Sequence, residues 1–148
     1  MDYRFAVIGL GRFGSRIARS LSDRGAEVIA IDAEESKVDE LRDDVAYAVT
    51  MDSTDKKALE SQRIQDIDAV VVAIGENFEA LLLTVVHLLD MQVSRIIARA
   101  SNKHQRSILE KMGVKEILSP EDEVGIIVAE RLLHPSVVTF LQLPDEYE

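Results

Sequence analysis

Residues Phe5 to Gly14 read FAVIGLGRFG, and Val28 to Asp32 read VIAID. The first stretch is an apolar strand running into Gly9-x-Gly11-x-x-Gly14. A helix-compatible segment follows, then a second apolar strand that ends at an acid. Each glycine has a distinct task in such an arrangement. Gly9 permits a tight turn out of the strand. Gly11, lacking Cβ, lets backbone come close to a pyrophosphate. Gly14 lets the new helix pack on the strand. The open N–H groups and dipole of that helix favour an anion. Asp32 comes 18 residues after Gly14, near the spacing of an acid that binds ribose hydroxyls. A carboxylate there favours a free 2′-OH, and so NAD, NADH or an adenine nucleotide over NADP. Asp32 and Glu35 also have the spacing of a helix capping box. Both roles are open to Asp32 at this point, and they are compatible.

Outward from this core the pattern keeps alternating. Strands are predicted at Tyr3–Ile8, Val28–Ile31, Ala46–Val49, Ala69–Ile74, Arg95–Ala98 and Glu116–Leu118. Helices are predicted at Phe13–Arg24, Glu34–Asp43, Asp55–Gln62, from Phe78, at Asn102–Met112 and from Pro120 to about His134. Ala69–Ile74 (AVVVAI) is continuously apolar, as a strand buried on both faces should be. Phe78, Leu81, Leu82, Val85, Val86 and Leu89 recur at helical spacing and predict the buried stripe of one helix. Asn102 and Gln105 form a capping pair, with Gly113 as the stop. Pro120 suits the first position of the last helix. This alternation predicts an α/β fold: a Rossmann-like, doubly wound, parallel six-stranded sheet with helices on both faces. It spans residues 1–134. Residues 135–148 form a C-terminal tail whose apolar side chains pack on a partner chain or back on the domain.

Ligands of such a sheet sit beyond the carboxyl ends of its strands. Asp52, after the third strand, could accept a hydrogen bond from an adenine amino group. Ser53 or Thr54 beside it could instead cap the next helix. Gly75, flanked by Ile74 and Asn77, could bring backbone against ribose or phosphate, or be an ordinary turn. Arg12 lies in the first turn of the glycine-loop helix, where the dipole disfavours a cation. A bound polyphosphate would reverse that penalty; a solvated side chain is the plain alternative. Arg99 ends the fifth strand and points to the same crevice. Glu121 and Glu123 open the last helix, where acids are expected from the dipole alone.

Composition bounds the rest. The chain has 148 residues and a formal net charge of −10, with 47% hydrophobic and 30% charged residues. The acidic balance argues against nucleic acid and anionic lipid as partners. There is no cysteine, which excludes disulfides, thiolate metal sites and thiol catalysis and fits a cytoplasmic protein. No secretory signal and no membrane-length apolar run is visible, so direct membrane insertion is not expected. His87, His104 and His134 have no evident orienting carboxylate, so no acid–base dyad is legible.

Taken together, GLGRFG, Asp32, MDSTD, VVVAIGENFEALLLTVVHLL, ARASN and GVKEILSPEDEVG resemble the nucleotide-binding N-lobe of RCK domains, also called KTN or TrkA-N. The likeness is greatest to KtrA-type regulatory subunits of bacterial potassium transporters and covers nearly the whole chain. The resemblance implies a non-enzymatic role: a cytosolic subunit gating a membrane potassium transporter or channel, peripheral to the inner face of the membrane. It implies ATP/ADP or NAD/NADH as ligand, and self-association into a dimer or an octameric ring. It implies that Gly9, Gly11, Phe13 and Gly14 form the phosphate loop and that Asp32 holds ribose. Arg12 would meet the terminal phosphate of ATP. Asp52 and Ser53 would sit at the adenine, and Ile74, Gly75, Asn77 and Arg99 along the ribose and phosphates. Glu121 matches a position that ligates Mg²⁺ or Ca²⁺ with ATP. Full regulatory subunits continue into a C-lobe, and this sequence ends where that lobe would begin. Two other readings remain: an NAD-dependent oxidoreductase lobe, and a free-standing redox or nucleotide sensor.

Overall fold

The computed structural model describes residues 2–134; the tail at 135–148 lies outside them. Six parallel strands form one sheet: β1 (Arg4–Ile8), β2 (Glu27–Asp32), β3 (Tyr47–Thr50), β4 (Ala69–Val72), β5 (Ile96–Arg99) and β6 (Glu116–Leu118). Their order is β3-β2-β1-β4-β5-β6. β1 pairs with β2 (Val7 opposite Ala30) and with β4 (Val7 opposite Val71). The strand order therefore reverses at β1, and a crevice opens there at the carboxyl ends.

Strand residues alternate between two cores. Ala6, Ile8, Ile29, Ile31, Val70 and Val72 face one side, where they meet Leu59 of α3 (Lys56–Ser61), Leu81, Val85 and Leu88 of α4 (Phe78–Asp90) and Leu109 of α5 (Lys103–Met112). Val7, Val28, Ala30 and Val71 face the other, against Ala18 of α1 (Arg12–Asp23) and Val38 and Leu41 of α2 (Glu35–Leu41). The doubly wound sheet predicted from the alternation is thus present, with helices on both faces.

Local signals set several boundaries. Asn102 Oδ1 accepts the Gln105 N–H at 2.9 Å. Gln105 Oε1 accepts the Ser101 N–H at 2.8 Å, one residue before the position a strict capping box would use. Gly113 ends α5 with φ +101°, a backbone state that costs glycine little. Other expectations are corrected. Asp55, not Ser53 or Thr54, caps α3, its Oδ1 accepting from Lys57 and Ala58 N–H. Asp32 and Glu35 form no capping box: Glu34 is the N-cap of α2. β4 stops at Val72, two residues before the apolar run ends; Ala73 still donates its N–H to the Ile8 carbonyl at 2.7 Å, and Ala73 and Ile74 lie against Gly9 of the glycine loop.

The buried stripe of α4 also shifts. Leu81, Thr84, Val85 and Leu88 are buried, whereas Val86, predicted to face the core, is exposed with Leu83. A helix that is apolar almost all round carries little periodicity to orient it.

The compact unit holding the sheet ends at Leu118, and Ser119 begins a second unit. That unit contains α6 (Pro120–Leu133), with Pro120 in its first turn beside Glu121, Asp122 and Glu123. Along α6, Val124, Ile126, Leu132 and Leu133 are exposed.

Candidate nucleotide site

A cleft of about 380 Å³ lies at the carboxyl ends of the strands, at the switch point. Its floor is the glycine loop. Gly9 has φ +97°, and a Cβ there would come 2.7 Å from the Ile74 nitrogen. Only glycine fits both demands. Gly14 is buried, and a Cβ on it would lie 1.8 Å from the Gly9 carbonyl oxygen and 3.2 Å from the Ala73 Cβ. It lets α1 close down on the turn itself. Gly11 differs: it has φ −74°, and nothing lies within 4 Å of a Cβ built there. The free space is in the cleft, where a backbone-hugging anion would go.

The first bond of the α1 ladder runs from Ser15 N–H to Gly11 C=O. The N–H groups of Arg12, Phe13 and Gly14 therefore precede the ladder and are open donors. No acid occupies the first turn of α1; Arg12 stands at its first position, exposed on the cleft wall.

Asp32 closes this loop. Its Oδ2 accepts the Leu10 N–H at 2.7 Å, and its Oδ1 accepts the Glu34 N–H at 2.8 Å. One carboxylate thus ties the glycine loop to the start of α2, and each oxygen keeps acceptor capacity for a ribose hydroxyl. Lys37, which the sequence reading missed, also lines the cleft. Burial alone would lower its pKa, but the charges of Asp32, Glu34 and Glu76, with a bond to Glu34, raise it. The sequence signal for it was a lysine one turn into the helix that follows the acid.

Across the cleft, Asp52, Ser53 and Thr54 form the loop after β3. Asp52 Oδ1 accepts from Thr54 N–H at 2.9 Å and from Thr54 Oγ1–H at 2.6 Å. The Thr54 hydroxyl bond, then its backbone bond, hold the Asp52 pKa below the usual value, against the opposing effect of burial. Asp52 therefore stays an ionised, acceptor-only group at neutral pH.

Ile74, Gly75 and Asn77 form the adjoining wall. Asn77 Oδ1 caps α4 by accepting the Ala80 N–H at 3.0 Å. Gly75 makes room for Arg99: an added Cβ would lie 2.9 Å from Nη1 and 3.1 Å from Cζ of that guanidinium. Arg99 in turn lies over the Phe13 ring, 5.4 Å from its centroid. Phe13 and Gly14 are absent from the cleft lining; Phe13 packs against the α1–α2 core and supports Arg99 from below. The other candidates, in the glycine loop and at the carboxyl ends of β2, β3, β4 and β5, line one cleft. Glu121 belongs to the second unit. Among the described residues, no cluster of three His, Asp or Glu side chains could hold a metal ion, and no helix is long and apolar enough to cross a membrane.

The family model of the TrkA-N domain matches residues 5–120. This chain belongs to the TrkA-N family. Two relatives from Bacillus subtilis are similar over nearly all of it. Ktr system potassium uptake protein C is 39% identical over 147 residues, 99% of this chain and 66% of that one. Ktr system potassium uptake protein A is 38% identical over 144 residues, 97% and 65% of the two chains. The chain thus spans about two thirds of the length of these homologues. Among solved structures, the NAD(P)-binding domain of an exopolyphosphatase-related protein from Archaeoglobus fulgidus aligns with a TM-score of 0.77 at 25% identity, covering 88% of this chain and 97% of that one. The RCK domain of GsuK shares the fold with a TM-score of 0.76 at 22% identity, covering 93% of this chain and 30% of that one. GsuK has been solved with ADP and with NAD. The TrkA-N domain described here is therefore a homologue of Ktr potassium uptake proteins, with a fold shared by the RCK domain of GsuK.

Proposed function

We propose that this TrkA-N domain is a non-enzymatic nucleotide sensor of a potassium transporter or channel, binding ATP/ADP or NAD(H) in the cleft at β1. The observation that carries the reading is the assembled glycine loop: open space at Gly11, free N–H donors at the start of α1, and Asp32 bonded to Leu10 at its edge. Phosphates would rest on the loop, ribose on Asp32 and adenine beside Asp52. The names of the homologues support a potassium transporter as the partner, which would hold the domain on the cytoplasmic face of the membrane. Exposed Val124, Ile126, Leu132 and Leu133 on α6 support self-association, since large apolar side chains left in water round a helix favour burial against a second copy. Glu121 is the carboxylate offered to a Mg²⁺ or Ca²⁺ ion that would enter with ATP.

Gating requires a ligand that binds two states unequally. ATP and ADP differ by one phosphate, and of the cleft's cations Arg12, exposed at the start of α1, is the one we propose to sense it. Calorimetry with ATP, ADP, NAD and NADH, with and without Mg²⁺ or Ca²⁺, tests the reading. Arg12→Ala is expected to weaken ATP by about tenfold, the worth of one charge-assisted contact, while ADP binding is kept. Equal weakening of both nucleotides would remove Arg12 as the discriminator. Turnover of NADH with a reducible substrate would instead favour an oxidoreductase lobe.

A further inference from the structure

The loop that would face adenine is fastened to α4 by two side chains one turn apart. Ser53 and Thr84 meet through their hydroxyls at 2.7 Å, and both are buried. Thr84 Oγ1 also lies 2.8 Å from the Ala80 carbonyl. A carbonyl only accepts, and threonine has one hydroxyl proton. Thr84 therefore donates to Ala80, and Ser53 must donate to Thr84. The direction of the relay is fixed: Ser53 to Thr84 to the backbone of α4. The second tie is His87 Nε2, 2.7 Å from the Thr54 carbonyl. Here too the carbonyl fixes the donor, so His87 carries its proton on Nε2. Both ties end in residues flanking or bonded to Asp52. Thr54 gives Asp52 Oδ1 two hydrogen bonds. Both bonds fall on Oδ1, and Asp52 lines the cleft, so the other oxygen remains an acceptor for a base there. A carboxylate oxygen fixed in this way accepts from a 6-amino purine and repels a 6-oxo purine, whose corresponding atom is itself an acceptor.

We propose that Thr84 and His87 are positioning residues that hold the Asp52–Thr54 loop for recognition of a 6-amino purine, so that the choice of base is set on α4. Neither needs to touch the nucleotide. Thr84 is fully buried and serves the site through Ser53; His87 serves it through Thr54. A buried threonine hydroxyl costs stability unless it is hydrogen-bonded; Thr84 gives its own proton to the Ala80 carbonyl within α4, and the oxygen lone pair left over is met by Ser53 of the nucleotide loop. The inference rests on the cleft binding an adenine nucleotide, and the experiment keeps the two apart.

The full chain is titrated with ATP and with ITP, which differ at the 6-position, as wild type and as Ser53→Ala, Thr84→Val, Thr84→Ser and His87→Gln. The wild type is expected to prefer ATP by about tenfold or more, the discrimination that one hydrogen bond to a charged acceptor confers. Ser53→Ala and Thr84→Val are expected to lose most of that preference. Thr84→Ser keeps the hydroxyl and is expected to retain it. His87→Gln keeps an N–H donor and is expected to lose less than Thr84→Val. Should Thr84→Val fail to fold, Ser53→Ala removes the same tie from the loop side and decides the matter. An unchanged ATP-to-ITP ratio in Ser53→Ala overturns the inference while leaving nucleotide binding intact. So does parallel weakening of both nucleotides, which marks a purely structural role, or a wild type that binds both equally. A wild type that binds neither removes the nucleotide reading itself, and this inference with it.

Discussion

Gly14→Ala is expected to destabilise the domain by about 3 kcal/mol and to abolish measurable nucleotide binding, whereas Gly11→Ala is expected to abolish binding alone. The contrast follows from where each Cβ would go. At Gly14 it would lie 1.8 Å from the Gly9 carbonyl oxygen. That atom is backbone in a turn that cannot give way, because Gly9 is itself held by its N–H bond to the Ile31 carbonyl at 2.8 Å. α1 would have to lift off the sheet, an overpacking penalty at the upper end of the usual range. At Gly11 a Cβ meets nothing within 4 Å, and φ is −74°, which alanine adopts freely. The apo protein should lose about 0.5 kcal/mol or less, the difference between glycine and alanine as an N-cap. The methyl group would then occupy the space proposed for phosphate. Thermal unfolding checks the first half: a drop in Tm of roughly 6–12 °C for Gly14→Ala and almost none for Gly11→Ala. Titration with ATP checks the second. If Gly11→Ala bound ATP as wild type does, the anion would not lie on this loop.

Asp32→Ala is expected to weaken nucleotide binding about a hundredfold and to cost about 2 kcal/mol of stability. Its carboxylate makes two hydrogen bonds to backbone N–H groups, Leu10 at 2.7 Å and Glu34 at 2.8 Å. Each is worth more than a neutral pair, and partial exposure of the acid tempers the sum. Loss of the Leu10 bond frees the glycine loop, and loss of the acceptor removes the ribose contact. The two contributions separate by comparing ATP with 2′,3′-dideoxy-ATP. In wild type the sugar hydroxyls should add affinity; in Asp32→Ala that advantage should vanish, a double-mutant cycle between protein and ligand. If the advantage persists, Asp32 is a loop fastener and something else holds the ribose. Asp32→Asn, which keeps one acceptor oxygen, should fall between the two.

Much of this was legible in the chain. The order strand, GLGRFG, helix, strand, acid requires contacts only among neighbouring segments, and each residue type has one local reason to be there. The helix stops were similarly readable: Asn102 and Gly113 act on groups within four residues of themselves. Long-range partners were not. Gly75 reads as an ordinary turn residue until Arg99 is seen beneath it. Lys37 reads as surface until its charge is seen among Asp32, Glu34 and Glu76. Phe13, grouped with the phosphate loop by resemblance, turns inward to pack under Arg99.

The sequence by itself determined that a glycine loop between strand and helix, an acid at the end of the next strand and a doubly wound sheet are present, because turn geometry, hydrophobic alternation and helix capping are local physics. Only the tertiary structure decided which face of α4 is buried and what that face does. Its side chains are so largely apolar that burial could choose among several rotations. Thr84 gives its own proton to the Ala80 carbonyl within the helix, but the donor that meets its oxygen, Ser53, stands 31 residues earlier in the chain, on the loop that faces the cleft.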